Sequence, residues 1–369
     1  MNSSLKKFLK YSLNILLIIG ISFLALHILF KDNDPKTIIK KILEVDVRWI
    51  ALAALLMIIF ICAESIQFRM LFKGMKQKVS LIKCLLLSNI GFFFSQITPG
   101  ASGGQPLQIV YMMKLGVNPF VSTLVCMLVT LIYKMMLVFL FILALILRPA
   151  LVGGAISDVL VFFIIGIICQ AGFAFFLLMC IFKPVFASWI VNKAISLGHK
   201  LHIIKNPDCL REKADHSIKQ YEAASNFLKK NPHVMLKMAG ITFIQRIAYF
   251  MVTFCVARSL RIVDCNVIDI LSLQIILSLA VDVLPIPGAS GANEIVFARL
   301  QVEIFGDAMT AGLLMNRCIT YYFLAMFTGI FTLIAHLYFN MIAHRREREK
   351  KPALEASDTK ETIEEIQKE

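Results

Sequence analysis

Pro99-Gly-Ala-Ser-Gly-Gly-Gln105 and Pro287-Gly-Ala-Ser-Gly-Ala-Asn293 are near copies set 188 positions apart, identical through five consecutive residues. Each copy closes an apolar run, 80–97 or 267–284, and neither run ends in a charged loop. The wider stretches are Thr98-Pro-Gly-Ala-Ser-Gly-Gly-Gln-Pro106 and Pro285-Ile-Pro-Gly-Ala-Ser-Gly-Ala-Asn-Glu294. An apolar arm that stops at Gly and Pro and then resumes reads as a re-entrant hairpin, with its loop at membrane depth. Broken backbone at that depth is tolerated only where it is buried in protein or lines a cavity. Glycines also serve close helix packing. That reading suits one such loop better than two matched ones.

The rest of the chain supports a membrane setting. Of 369 residues, 58% are hydrophobic and 17% charged, with mean hydropathy +0.76. Soluble domains carry about 25% charged residues. The composition excludes a disordered chain, a rod and a small disulfide scaffold, and argues against a soluble enzyme. The net charge of +14 would suggest nucleic acid in a soluble chain; here it points to cytoplasmic loops and anionic lipid. Six runs have the roughly 20 apolar residues needed to cross hydrocarbon: 11–30, 49–68, 119–147, 159–182, 234–257 and 308–340. The first follows Lys6, Lys7 and Lys10 and has no small-residue cleavage site after it, so it reads as an uncleaved helix.

Lys and Arg set the expected orientation. Residues 69–83 hold five basic residues (Arg69, Lys73, Lys76, Lys78, Lys83) and no acidic one, and 183–233 hold nine basic and four acidic. Both are placed on the cytoplasmic side, with both termini. The weak point is loop 31–48, placed outside with five basic residues beside four acidic ones. Helix 119–147 then starts inside, so 80–116 enters from inside and returns there, while 267–306 does the same from outside. The expected fold is an all-α polytopic membrane protein of two inverted repeats, each three transmembrane helices plus one re-entrant hairpin. The first repeat takes residues 1–158 with its loop at 98–106; the second takes 159–343 with its loop at 285–294. A cytoplasmic segment, 184–233, carries Leu210, Ala214, Ile218, Tyr221 and Leu228 on one helical face and reads as an amphipathic insert on anionic lipid or as a solvated linker. Residues 344–369 form a charged tail. Paired interrupted segments of opposite orientation are the plan of secondary transporters, whose binding site lies between them.

A charge at the bilayer centre costs at least about 2.5–3.5 kcal/mol, so deep ionisable residues mark function or pairing. The deep cations are Lys134, Arg246 and Arg317; Lys237 lies near enough to a helix end to snorkel. The acids are Glu64, Asp282, Glu294 and Glu303, with Asp307 discounted like Lys237. Two readings stand. In one, these are ion pairs that fix helix register. In the other, the cations hold a phosphate and the loop amides offer a nest for the anion. The candidate substrate-binding set is Pro99, Gly100, Ser102, Gly103, Gln105, Lys134, Arg246, Pro287, Gly288, Ser290, Gly291, Asn293, Glu294 and Arg317. Asp282 and Glu64 are assigned to gating or ion pairing.

Catalytic and metal signals are weak. The nine cysteines include no CxxC spacing, and seven lie in apolar runs. His199, His202 and Cys209 lack a firm fourth ligand. No G-x-S-x-G, H-E-x-x-H or P-loop occurs. No metal or other cofactor is expected.

The stretch Thr98-Pro-Gly-Ala-Ser-Gly-Gly-Gln-Pro-Leu-Gln108 with Tyr111-Met-Met-Lys114, and Pro285-Ile-Pro-Gly-Ala-Ser-Gly-Ala-Asn-Glu294, resemble the flippase-like membrane domain of lysylphosphatidylglycerol synthases, also called the UPF0104 or YbhN-like family. Arg317 falls where that family tends to place an arginine. The resemblance covers residues 5–340. The second motif departs from more glycine-rich forms at Ala289-Ser290 and Ala292-Asn293. The resemblance implies a domain associated with flipping an aminoacylated phospholipid, in a family linked to resistance to cationic peptides. The aminoacyl transfer from lysyl-tRNA belongs to a separate cytoplasmic domain. No such domain is expected in a chain that ends at Glu369. The implied partners are membrane phospholipid and a separately encoded synthase. Phosphatidylglycerol lysyltransferase activity, or an accessory role to such a synthase, stands as the alternative.

Overall fold

The computed structural model describes residues 41–183 and 231–342, Pro287 excepted, with isolated positions between 186 and 226. The expected first helix at 11–30, most of the insert at 184–233 and the tail at 344–369 lie outside the described residues, which form helices and turns with no strand.

Helix α1, Val47–Gly74, starts where the Asp46 carboxylate accepts from the backbone N–H of Arg48 at 3.0 Å. The first hairpin follows. Its entering arm is α2, Leu81–Ile97, begun by Ser80 and stopped before Pro99; its return arm is α3, Gly104–Lys114. Helix α4, Pro119–Leu147, has Asn118 as cap and Pro at its first position, which suits a helix start. A short α5, Pro149–Asp158, leads to α6, Leu160–Phe182. Beyond the insert, α7, Pro232–Ser259, precedes the second hairpin, whose arms are α8, Val267–Val281, and α9, Ala292–Phe305. A 3-10 turn, Gly306–Ala308, then leads into α10, Met309–Arg317, which passes through a six-residue π-helical turn, Cys318–Phe323, to a last helix, α11, at 324–342.

Expected and observed spans agree closely: 119–147 coincides with α4, and 159–182 with α6 to one residue. Among the described residues, five helical stretches are long and apolar enough to cross a membrane. The last of these, Ala292–Ile342, joins what composition separated into the hairpin's return arm and a final span. Side chains such as Val161, Ile168 and Phe175 on α6 and Leu333 and Leu337 on α11 face outward, the surface that lipid covers in a spanning helix.

Helices α1 and α7 pack most extensively, and they run antiparallel: the Asp46 N–H at the start of α1 donates to the Ser259 carbonyl at the end of α7, 3.0 Å away. The two hairpins follow α1 and α7, and therefore enter from opposite ends of the bundle. The buried core divides the same way. Met57, Phe60 and Ile61, up to the middle of α1, pack with α8 and α9, whereas Phe68, Leu71 and Phe72, nearer its end, pack with α2, α3 and the start of α4.

The backbone repeats as the sequence does. Gly100 and Ala101 have φ +59° and +54°; Gly288 and Ala289 have +57° and +49°. Both return arms end on a left-handed glycine, Gly116 at +81° and Gly306 at +46°.

A further glycine fixes a helix crossing. A Cβ on Gly166 of α6 would lie 2.1 Å from the carbonyl oxygen of Leu279 on α8. Only backbone could give way. Gly166→Ala is therefore expected to lower stability by about 1–3 kcal/mol, the usual cost of overpacking. The unfolding midpoint of the purified protein in detergent checks this. A midpoint equal to wild type would mean the two helices can separate freely.

Candidate functional site where the hairpins meet

The entering arms are 17 and 15 residues long. At 1.5 Å per residue each spans roughly 22–26 Å, so arms from opposite ends overlap near the middle. They do meet: a Cβ on Gly100 would sit 3.5 Å from Cα of Pro285. Two tyrosines tie the helix that follows each hairpin to the other hairpin. The Tyr133 hydroxyl on α4 donates to the carboxylate of Asp282 at the end of α8. The Tyr321 hydroxyl, 188 positions on, donates to the Gln96 carbonyl near the end of α2 at 3.4 Å.

Loop 98–106 is shaped from within. The Thr98 hydroxyl donates to the Phe94 carbonyl at 2.6 Å and accepts from the Gly103 N–H at 2.8 Å. Pro99, Gly100 and Ser102 are exposed, and Gly103 is half-buried. The Gln105 amide donates to the Thr130 hydroxyl on α4. Loop 285–294 is held differently. The Arg317 guanidinium donates through Nε to Glu294 at 2.6 Å and through both terminal nitrogens to the Gly288 carbonyl at 3.2 and 3.3 Å. The other Glu294 oxygen accepts from the Gly291 N–H at 2.6 Å. Ser290 is buried, and Asn293 is half-buried. Pro287 lies outside the described residues.

The deep ionisable residues thus fall into groups. Arg317, Glu294, Gly288 and Gly291 form a closed clamp, which is the register-fixing arrangement. Arg246 and Lys134 have no carboxylate within 4.0 Å among the described residues. Arg246 is 5% exposed, and its Nε is buried with no hydrogen-bond partner. Its guanidinium carbon lies 3.9 Å from the ring centroid of Tyr133, 5.1 Å from Phe60 and 5.6 Å from Tyr249. Three rings from three helices, α1, α4 and α7, therefore surround the cation. Lys134 lies 5.1 Å from the same Tyr133 ring, and Asp282 is near enough to act electrostatically on both Lys134 and Tyr133.

Glu64 lies beside the first hairpin, within electrostatic reach of Arg246 but in no ion pair with it among the described residues. It accepts from the Gln108 amide at 2.9 Å. A cavity of about 100 Å³ adjoins it, lined by Ser95, Gln105, Gln108, Cys126 and Thr130 among others. Sequence reading did not single out Gln96, Gln108, Phe60 or Tyr249. Amides inside otherwise apolar runs were the available signal for the first two. The ring cage has none, because its members come from separate helices.

The fold and this interior make the chain a polytopic, all-helical membrane protein with two interrupted segments that meet inside it. The sequence pattern of the family described as Lysylphosphatidylglycerol synthase TM region matches residues 13–328, and the chain belongs to that family. A UPF0104 membrane protein of Pyrococcus horikoshii is 31% identical over 105 residues, which take in 28% of this chain and 31% of that relative's length.

Proposed function

We propose that the protein binds and translocates a phospholipid head group, anionic or aminoacylated, between the two hairpins, and that Arg246 with Lys134 neutralises its phosphate. The observation that carries this is Arg246: a buried guanidinium ringed by aromatic side chains, with an unpartnered Nε donor, at membrane depth. Buried polar groups are almost always hydrogen-bonded, and an exception calls for a ligand or a mechanism. The rings offer the guanidinium no hydrogen-bond acceptor, so its N–H groups are left for a phosphate. The contacting tips make this a closed arrangement; the inverted hairpins then act as alternating gates, with both termini and the insert on the cytoplasmic side. Arg317 sets the shape of the second gate and joins the phosphate site only if the Glu294 clamp opens.

The test is movement of fluorescent phosphatidylglycerol between leaflets of reconstituted liposomes. Arg246→Ala is expected to reduce head-group affinity roughly 10–100-fold, the loss of one charged hydrogen-bonding partner. Arg246→Lys should fall between, since it keeps the charge and loses the planar fork. Wild-type transport in Arg246→Ala would remove this residue from the site.

A further inference from the structure

The charges of the core impose a second requirement, which rests on the head-group reading. Glu303 is exposed on the outside of α9 and does not belong to the interior. Of the rest, Lys134, Arg246 and Arg317 supply three positive charges, and Glu64, Asp282 and Glu294 supply three negative ones. The side chains sum to zero. An anionic phosphodiester arriving among them leaves one negative charge uncompensated at membrane depth, where charge is costly. We propose that Glu64 is the binding site for a small monovalent cation, a proton or Na⁺, that travels with an anionic lipid.

Geometry selects Glu64 among the three acids. Glu294 is spent on Arg317 and on the Gly291 N–H. Asp282 accepts the Tyr133 hydroxyl and lies within electrostatic reach of Lys134. Glu64 has no cation within 4.0 Å among the described residues. It also has room, since the 100 Å³ cavity beside it is large enough for an ion or a few waters. Hydroxyls of Ser95 and Thr130 and the amide of Gln105 line that cavity, oxygen donors of the kind hard cations take. The same groups can hydrogen-bond a neutral acid.

The surroundings link this site to the phosphate site. Arg246 on α7 is the charged group that faces Glu64, Cys126 on α4 is the titratable one, and Ser88 on α2 and Gln108 on α3 are neutral partners. With Glu64 neutralised, the field of Arg246 is released for phosphate. With Glu64 bare, the carboxylate competes with phosphate for the same guanidinium. Cation and anionic lipid therefore favour each other's binding, and linkage makes the effect reciprocal.

The experiment uses the full-length protein in liposomes with fluorescent phosphatidylglycerol in one leaflet. A proton gradient and a Na⁺ gradient are imposed in separate arms at zero membrane potential. One-to-one coupling to a tenfold gradient biases the steady-state lipid distribution about tenfold. That bias is expected in one arm for phosphatidylglycerol and in neither arm for an aminoacylated phosphatidylglycerol with net positive charge. Glu64→Gln is expected to remove the response, and Glu64→Asp to keep it. Phosphatidylglycerol movement that ignores both gradients overturns the cation site and leaves the head-group reading standing. So does an undiminished bias in Glu64→Gln. Failure of the wild type to move any lipid overturns both. The comparison of the two lipids needs no variant, so misfolding of a substituted protein does not blunt it.

Discussion

Arg317→Ala is expected to destabilise the protein by about 3–5 kcal/mol, the cost of removing one member of a buried ion pair. The side chains of Arg317 and Glu294 are 11% and 12% exposed, so little solvent replaces what is lost. The alanine leaves a carboxylate without its cation and the Gly288 carbonyl without two donors. Glu294→Ala should cost less, because the orphaned guanidinium keeps its bonds to Gly288 and its place 5.4 Å from the Tyr321 ring. The double variant, Arg317→Ala/Glu294→Ala, should cost clearly less than the two single effects added, since it leaves neither charge buried alone. Unfolding midpoints of the four proteins in detergent decide this. Additive effects would mean that the two side chains do not act as a pair. The result also separates two roles. If Arg317 serves chiefly to shape loop 285–294, its loss moves stability and transport together. Loss of Arg246, which holds no loop, is expected to move transport far more than stability.

Why some of this was readable from sequence is a matter of which forces leave a local trace. The spans were legible because hydrocarbon thickness fixes the length of an apolar run, so 119–147 and α4 coincide. The matched loops were legible because left-handed backbone restricts composition, and the same two positions of each copy adopt it. The fate of the cations was not legible. Whether Arg317 meets Glu294 or a ligand depends on where α10 lies against α9, and no spacing reports that. The cage around Arg246 draws Phe60, Tyr133 and Tyr249 from three helices. In a membrane chain with 29 Phe, rings at such positions look like ordinary lipid-facing or packing residues. The π-helical turn at Cys318–Phe323 has no compositional mark either, yet it contains Tyr321, the residue that reaches the first hairpin. Widened turns of this kind occur often at functional sites.

Gly288→Ala should cost about 2–4 kcal/mol, and Gly100→Ala, at the matching position, only about 1 kcal/mol. The two glycines have nearly the same backbone, φ +57° and +59°, so the intrinsic penalty of an alanine there, about 1–2 kcal/mol, is shared. Ala101 and Ala289 already occupy that region, which shows that the turn accepts a Cβ in this conformation. What differs is space. A Cβ at Gly100 meets Pro285 at an ordinary 3.5 Å, whereas one at Gly288 would lie 2.2 Å from Cε2 and 2.9 Å from Cζ of Tyr321. The ring must move, and its hydroxyl then leaves the Gln96 carbonyl. Gly288→Ala/Tyr321→Ala should therefore lose less than the two single substitutions combined. Midpoints of Gly288→Ala and Gly100→Ala that coincide would sink the argument. Two loops that share five consecutive residues are thus held unequally. The first is exposed at Pro99, Gly100 and Ser102; the second is closed over by Tyr321 and clamped by Arg317. In an alternating mechanism the looser hairpin moves first, so substitutions that tighten loop 98–106, with Gly100→Ala the mildest, should slow transport at little cost in stability.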